Sequence, residues 1–260
     1  MVWREYSIGK QTYRQLASKY NCSIRTIQRK IDNYLPATNK QCIRSVVVLM
    51  DTTYWGHNFG VMLFKDAYTS ENLLKYYVLF ETNQMYHKGI SELQEMGFTI
   101  NAIVCDGRKG LLGSYGEIPM QMCQFHQAAI IRRYITKNPK LEASKELKSL
   151  VSLMSTTDKE SFIGALNDWF EKWDDFLKER SLNPLTGKSH YTHKRLRSAY
   201  RSLKTNKEWL FTWYDYPDIK IPNTTNALEG HFSDLKNKMR NHNGLSIKRK
   251  KLFINEFLKA

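Results

Sequence analysis

The feature that most constrains this chain is the stretch R-S-V-V-V-L-M-D-T-T-Y-W at residues 44–55, where five consecutive apolar residues, three of them valine, run into a carboxylate, Asp51. A short β-branched run of this kind reads as a strand buried on both faces, and it is too short to span a bilayer. Residues 98–105, F-T-I-N-A-I-V-C, repeat the pattern and end at Asp106. Strands of this sort need a sheet covered on two sides, which places the chain in the α/β class. The end of a buried strand is where such a sheet presents chemistry, although an Asp beside Thr52 and Thr53 can equally serve as a strand cap. If the two strands are neighbours, two carboxylates converge, an arrangement that is costly unless a cation lies between them.

The other segments fill in a mixed sheet. Strands are expected at 46–51, 59–67 and 73–81 as an antiparallel meander, followed by a helix at 83–97 that closes on Gly97. After the strand at 98–105, a short helix at 109–115 and a strand at 118–125 are expected. From Ala128 to about Tyr216 nothing resembles a strand. Apolar residues recur there at helical spacing, including a stripe of Trp169, Phe170 and Trp173 that reads as core, and the segment 194–207 is basic along its length. In N-A-L-E-G, Asn226 and Glu229 have capping-box spacing, the structural reading of that glutamate, with Phe232, Leu235 and Met239 as the buried face of the helix.

At the other end, Leu16, Ala17, Tyr20, Ile24, Ile27 and Ile31 follow a helical period that breaks once, at Asn21-Cys22-Ser23. Asn tolerates the left-handed conformation of a helix end and Ser23 can cap the next helix, so a helix-turn-helix is expected. Its second helix would turn Arg25, Thr26, Gln28, Arg29 and Lys30 toward a DNA major groove. The domain reading is therefore 1–35 as the helix-turn-helix region, 36–43 as a linker, 44–127 as the first part of the core, 128–220 as an all-helical insertion and 221–260 as the final core helices.

The formal charge of +15 is unevenly spread: +5 over residues 1–34, −1 over 35–127, +1 over 128–187 and +10 over 188–260. Basic ends around a near-neutral middle suit a polyanion held at both ends. The four cysteines have no paired spacing and read as reduced thiols, and neither a signal peptide nor a membrane span is evident, so a cytoplasmic, nucleoid-associated protein is expected.

Taken in order, M-D-T-T, V-C-D-G-R-K-G, C-Q-F-H and T-T-N-A-L-E-G-H-F-S-D-L-K-N-K resemble a DDE transposase, specifically the bacterial insertion-sequence branch of the Mutator-like superfamily. The resemblance covers residues 44 to about 251 and implies a ribonuclease H-like core with the helical insertion before the last acid. It implies Asp51, Asp106 and Glu229 as the catalytic, metal-binding triad, spaced 55 and 123 residues apart. Two Mg²⁺ or Mn²⁺ ions would clamp the attacking and leaving oxygens of a phosphodiester. Cys123 and His126 occupy a C-x-x-H signature near the active site, and Arg108 and Lys109 follow Asp106 closely enough for phosphate contact; Lys236 and Arg240, on the outer face of the helix that carries Glu229, are DNA-binding candidates. The implied partners are double-stranded DNA, both element ends and target, and a second copy of the chain, since synapsis of two ends asks for a dimer or higher oligomer. The chain lacks the Cys-pair zinc ribbon that some relatives carry ahead of the helix-turn-helix, which reads as an internal start or a 5′-truncated copy. The competing expectations are a non-catalytic DNA-binding protein derived from a transposase, and a nuclease on the same core.

Overall fold

The computed structural model of the chain describes residues 2–35, 42–242 and 244–259. Strands β1 (Ser45–Trp55), β2 (Phe59–Asp66), β3 (Asn72–Val78), β4 (Thr99–Cys105) and β5 (Met120–Met122) form a five-stranded sheet in the order β3-β2-β1-β4-β5. The first three pair antiparallel as a meander, whereas β4 and β5 continue the sheet in parallel from β1. The fold is thus a mixed α/β sheet with helices on both faces.

Side-chain alternation decides which layer each residue enters. Val47 and Leu49 of β1, with Ala102 and Val104 of β4, face one core; Val46, Val48 and Met50, with Ile103 and Cys105, face the other. All five residues 46–50 are at most 1% exposed, which is why this run reads as continuously apolar instead of alternating. The β1–β4 register shifts once, between Val46 and Val47, where Val46 pairs Ile100 and Val47 pairs Ala102, so Asn101 is an extra residue in β4. Helix α4 (Asn83–Glu95) returns the chain from β3 to β4 and covers the second face through Tyr86, Ile90 and Leu93. It is capped by the Thr82 side chain and closes on Gly97 at φ +99°, as expected.

Several elements differ from the sequence reading. β1 runs four residues beyond Asp51, because its pairing with β2 continues to Trp55 after β4 has ended. Where a helix was expected at 109–115, residues 109–113 form turns and no helix follows, since Gly110 and Gly113 take φ of +76° and +74°, outside helical space. The strand expected at 118–125 shrinks to β5, an edge strand preceded by Pro119 and cut short when the chain enters α5 (Gln124–Ile135).

Beyond β5 the chain is mainly helical: α5, α6 (Glu142–Leu153), α7 (Lys159–Lys178), α8 (Lys194–Leu210) and α9 (Thr212–Asp215). These helices share a core of their own, in which Trp169 is 4% exposed and donates its indole N–H to the Ala143 carbonyl at 3.0 Å. The segment is not all helical. A hairpin of β6 (Arg180–Leu182) and β7 (Ser189–Tyr191) projects between α7 and α8. Its turn is local chemistry: the Asn183 Oδ1 accepts from the Leu185 amide at 2.9 Å, and Gly187 takes φ +65°.

Helices α1 (Val2–Ser7), α2 (Tyr13–Lys19) and α3 (Ile24–Asp32) precede the sheet. The α2–α3 turn is the expected one, with Asn21 at φ +46° and the Ser23 hydroxyl accepting from the Thr26 amide at 3.1 Å. Residues 36–41 of the expected linker lie outside the described residues. The three helices are not a free-standing module. Trp3 and Tyr6, each 3% exposed, enter the same core as β1, α10 (Asn226–Arg240) and α11 (Ile247–Leu258), and Trp3 stacks on Tyr34 at 5.0 Å. Arg249 of α11 grips Asp32 of α3 with two parallel bonds of 2.7 and 2.8 Å. Both partners are partly exposed, so Arg249→Ala should cost only about 1 kcal/mol. The melting temperature should fall by ~2–4 °C, with the difference shrinking in high salt. A calorimetric scan at two salt concentrations checks this. Among the described residues, no helix is long and apolar enough to cross a membrane.

Candidate active site

The sheet brings the first two acids near each other. Leu49 of β1 pairs Val104 of β4 in parallel; Asp51 lies two residues further along β1, and Asp106 directly follows the last residue of β4 and is among the charges that raise Asp51. By the period of two, Asp51 continues the face of Val47 and Leu49, which is covered by α10, on which Leu228, Phe232, Leu235 and Met239 are buried. Asp51 accepts from the Thr52 amide at 2.7 Å and Asp106 from the Arg108 amide at 3.0 Å. Gly107, at φ +80°, makes the turn between Asp106 and the next segment; a Cβ there would stand 2.4 Å from the Met122 methyl, so the chain needs glycine for both conformation and space.

Glu229 comes from the first turn of α10. The capping-box reading of this residue does not hold: the helix N-cap is Thr225, Asn226 is already helical, and no side chain caps the end. The Glu229 carboxylate is therefore turned to other partners. The Thr225 hydroxyl stands 3.3 Å from both Glu229 Oε1 and Cys123 Sγ, and the Thr225 amide donates to the same sulfur at 3.3 Å. His126 Nε2 lies 3.7 Å from Glu229 Oε1. Among the described residues, the donor atoms of Cys123, His126 and Glu229 all fall within 4.8 Å of one another; Asp51 and Asp106 are not part of that set. The C-x-x-H pair sits where β5 gives way to α5, held by the Cys123 amide donating to the Cys105 carbonyl at 2.7 Å and the Gln124 amide to the Asn223 carbonyl at 2.9 Å.

The electrostatics join the two groups of residues. Burial pushes Asp51 up to about 7; the Thr52 amide and His126 oppose that rise, and Asp106 and Glu81 add to it. His126 is pushed up to about 9 by the adjacent Cys123 sulfur, against desolvation, with Asp51 and Glu229 as further anionic neighbours. Burial alone would raise the Cys123 thiol, but the His126 ring and the Thr225 hydroxyl and amide bring it below its ordinary value. His126 thus stands beside Cys123 within the fields of both Asp51 and Glu229. Burial also holds the Lys236 ammonium below its usual range, against the opposing field of Asp51, and Lys236 lies over the Trp55 ring at 5.6 Å.

The remaining expected site residues are spread out. Arg108 is committed elsewhere: its guanidinium donates to Asn83 Oδ1 at 2.8 Å and to the Glu81 carbonyl at 2.7 Å, and pairs with the Glu81 carboxylate at 3.3 Å. It braces the turn after Asp106 against α4, which leaves Lys109, exposed beside it, as the cation open to a ligand. Arg240 is exposed one turn beyond Lys236. Arg25, Arg29 and Lys30 stand on the exposed face of α3, with Thr26 and Gln28 half-buried, and among the described residues no hydrogen bond or ion pair joins them to the acids. Thr225 and Glu81 were not singled out from the sequence. Thr225 had one legible signal, standing a helical turn before Glu229; Glu81 had none, because only the fold carries the end of β3 to Arg108. Compared with known proteins, the chain matches no family model and no curated protein.

Proposed function

We propose that this chain is a DNA strand-transfer enzyme of the DDE type with a ribonuclease H-like core, in which Asp51, Asp106 and Glu229 hold divalent cations. The observation that carries the reading is the closeness of the acids: Asp51 of β1 feels the charge of Asp106, which directly follows the parallel neighbour β4, and Glu229 comes from the first turn of the helix packed on that side of β1. The donor set fits hard cations, since Asp51 and Asp106 offer carboxylate oxygens whose mutual repulsion an ion would relieve. Bound there, two Mg²⁺ or Mn²⁺ ions would supply Lewis-acid stabilisation of the attacking and leaving oxygens of a phosphodiester. The protein's own residues do the rest. Lys236, Arg240 and Lys109 bind the strand by its phosphates. His126, protonated beside Cys123, holds Glu229 in place through Nε2. Water attack frees a 3′-hydroxyl at an element end, and that hydroxyl then attacks target DNA, displacing one target 3′-oxygen as the new phosphodiester forms. Two ends must be held together for this, so the working species is a dimer or higher oligomer on DNA.

The test is cleavage and joining of labelled DNA carrying the native element ends, in Mg²⁺ or Mn²⁺, with Asp106→Asn as control. Metal-dependent nicking and joining, both lost in the variant, support the reading. DNA binding without cleavage by either form leaves a non-catalytic DNA-binding protein, and cleavage without joining leaves a nuclease. The exposed cations of α3 give a second expectation. In Arg25→Ala/Arg29→Ala the slope of log affinity against log salt should flatten by roughly 2, at about 0.9 for each phosphate that is no longer neutralised. Fluorescence anisotropy across a salt series reads it.

A further inference from the structure

The C-x-x-H pair alone supplies two metal ligands, and the fold adds a third. Cys123 is the N-cap residue of α5 and His126 stands in the first turn of that helix. Glu229 reaches the same point from the first turn of α10, and one donor atom from each of the three lies within 4.8 Å of the other two. Donors around a tetrahedral Zn²⁺ stand about 3.4–3.6 Å apart, given bonds of about 2.3 Å to sulfur and about 2.0–2.2 Å to nitrogen or oxygen. His126 Nε2 and Glu229 Oε1, at 3.7 Å, are already near that spacing. Closing the whole set takes side-chain movements of about 1 Å.

The surroundings match a metal site. Cys123 forms a fully buried floor, whereas the His126 and Glu229 side chains are 29% and 28% exposed, which gives an ion a path of entry. The sulfur accepts from the Thr225 amide and hydroxyl, both at 3.3 Å, bonds of the kind that orient a ligating thiolate. The imidazole has a nitrogen to spare, since Nδ1 is buried without a hydrogen-bond partner while Nε2 faces Glu229. Hard cations take oxygen ligands, such as Asp51 and Asp106 offer. A sulfur, an imidazole and one carboxylate select a softer ion.

We propose that Cys123, His126 and Glu229 form a second metal site, for a thiophilic divalent cation of the Zn²⁺ class, with a fourth position open to water. The site stands on its own residues. Its consequence rests on the strand-transfer reading above: the two kinds of cation compete for the Glu229 carboxylate, and the thiophilic ion inhibits.

The test titrates the full chain, stripped of metal and kept under a non-thiol reductant, with Co²⁺ alone, the spectroscopic substitute for Zn²⁺. One equivalent should bring in a sulfur-to-metal charge-transfer band that excess Mg²⁺ leaves in place and Zn²⁺ removes. Cys123→Ser should abolish the band, while Cys22→Ser/Cys42→Ser, which alters two thiols outside the cluster, should keep it. His126→Ala and Glu229→Gln, at partly exposed positions, should each weaken Co²⁺ binding by at least about tenfold. No band in the unaltered protein overturns the proposal. So does a band that survives in Cys123→Ser, or an affinity unchanged in both His126→Ala and Glu229→Gln. Competition is read separately, as loss of Mg²⁺-dependent cleavage by the unaltered protein on adding one equivalent of Zn²⁺, restored by chelation. Cleavage that bound Zn²⁺ leaves unchanged overturns the competition. Co²⁺ binding through Cys123 by a chain that cleaves no DNA overturns the strand-transfer reading alone and supports the metal site.

Discussion

Asp51→Asn should make the metal-free protein more stable at neutral pH and, under the proposed strand-transfer activity, should cut metal-dependent cleavage by roughly 10²–10³-fold, the order of loss seen when transition-state charge stabilisation is removed. The stability half follows from linkage. The folded-state carboxyl is raised to about 7 from an ordinary value of 3.8, mainly by burial. Between those values the folded protein keeps a proton that the unfolded chain releases, so stability falls as pH rises through about 4–7 and the full penalty is present above 7. A rise of that size corresponds to an upper bound of ~4 kcal/mol, and relaxation around a partly exposed group brings the working figure to about 2–3 kcal/mol. Melting curves at pH 5 and pH 8 should therefore diverge for the unaltered protein and converge for Asp51→Asn. Adding Mg²⁺ at pH 8 should raise the melting temperature of the former far more, because an ion that binds only the folded state stabilises it by mass action. A Mg²⁺ response retained in full by Asp51→Asn would remove this residue from the cation site.

The second large effect is structural. Gly89→Ala should lower stability by about 2 kcal/mol, although alanine in place of a helical glycine ordinarily gains about 1 kcal/mol. The sign reverses because Gly89 sits in the middle of α4 against Phe64 of β2: an added Cβ would lie 2.1 Å from the ring Cζ and 2.5 Å from Cε2. Phe64 cannot yield. It is fully buried and held edge-on by Tyr76 at 5.9 Å and Tyr86 at 6.1 Å. Overpacking of this kind costs ~1–3 kcal/mol, occasionally more, which outweighs the propensity gain. Tyr86 also bonds Thr52 at 2.9 Å, so the disturbance reaches the residue after Asp51. Adding Phe64→Leu should recover part of the loss. Denaturant midpoints of the two single variants and the double variant measure the coupling directly.

The parts of this fold legible in the sequence were those written in unbroken runs. The valines of 46–48 and the apolar stretch of 100–105 announced two buried strands, and Asn21 with Ser23 announced the turn between α2 and α3. What could not be read depended on partners far along the chain. The Asn226–Glu229 spacing suggested a cap, but α10 has Thr225 as its N-cap, and the Thr225 hydroxyl is spent on Cys123, 102 residues away, and on Glu229. Arg108 follows an acid closely and so suggested a phosphate contact, yet Glu81 and Asn83 claim it. The β6–β7 hairpin is only three residues per strand, too short to show a period, and α1 is six residues whose buried Trp3 and Tyr6 find their cover on Tyr34, Tyr13 and α11. In the candidate site, the partners of Thr225 and Arg108 could not be read, because both lie far along the chain.

The extra residue in β4 decides which chemistry the sheet can present. Were the β1–β4 pairing unbroken from Val46 opposite Ile100, Asp51 would stand opposite Cys105, and Asp106 opposite Thr52. Because successive side chains leave a strand on opposite faces, Ala102 and Val104 would then turn toward α4, and Ile103 and Cys105 toward α10. Asn101 thus works as a half-period phase shift, and which face receives each later residue of β4 depends on one residue that has no counterpart across the ladder.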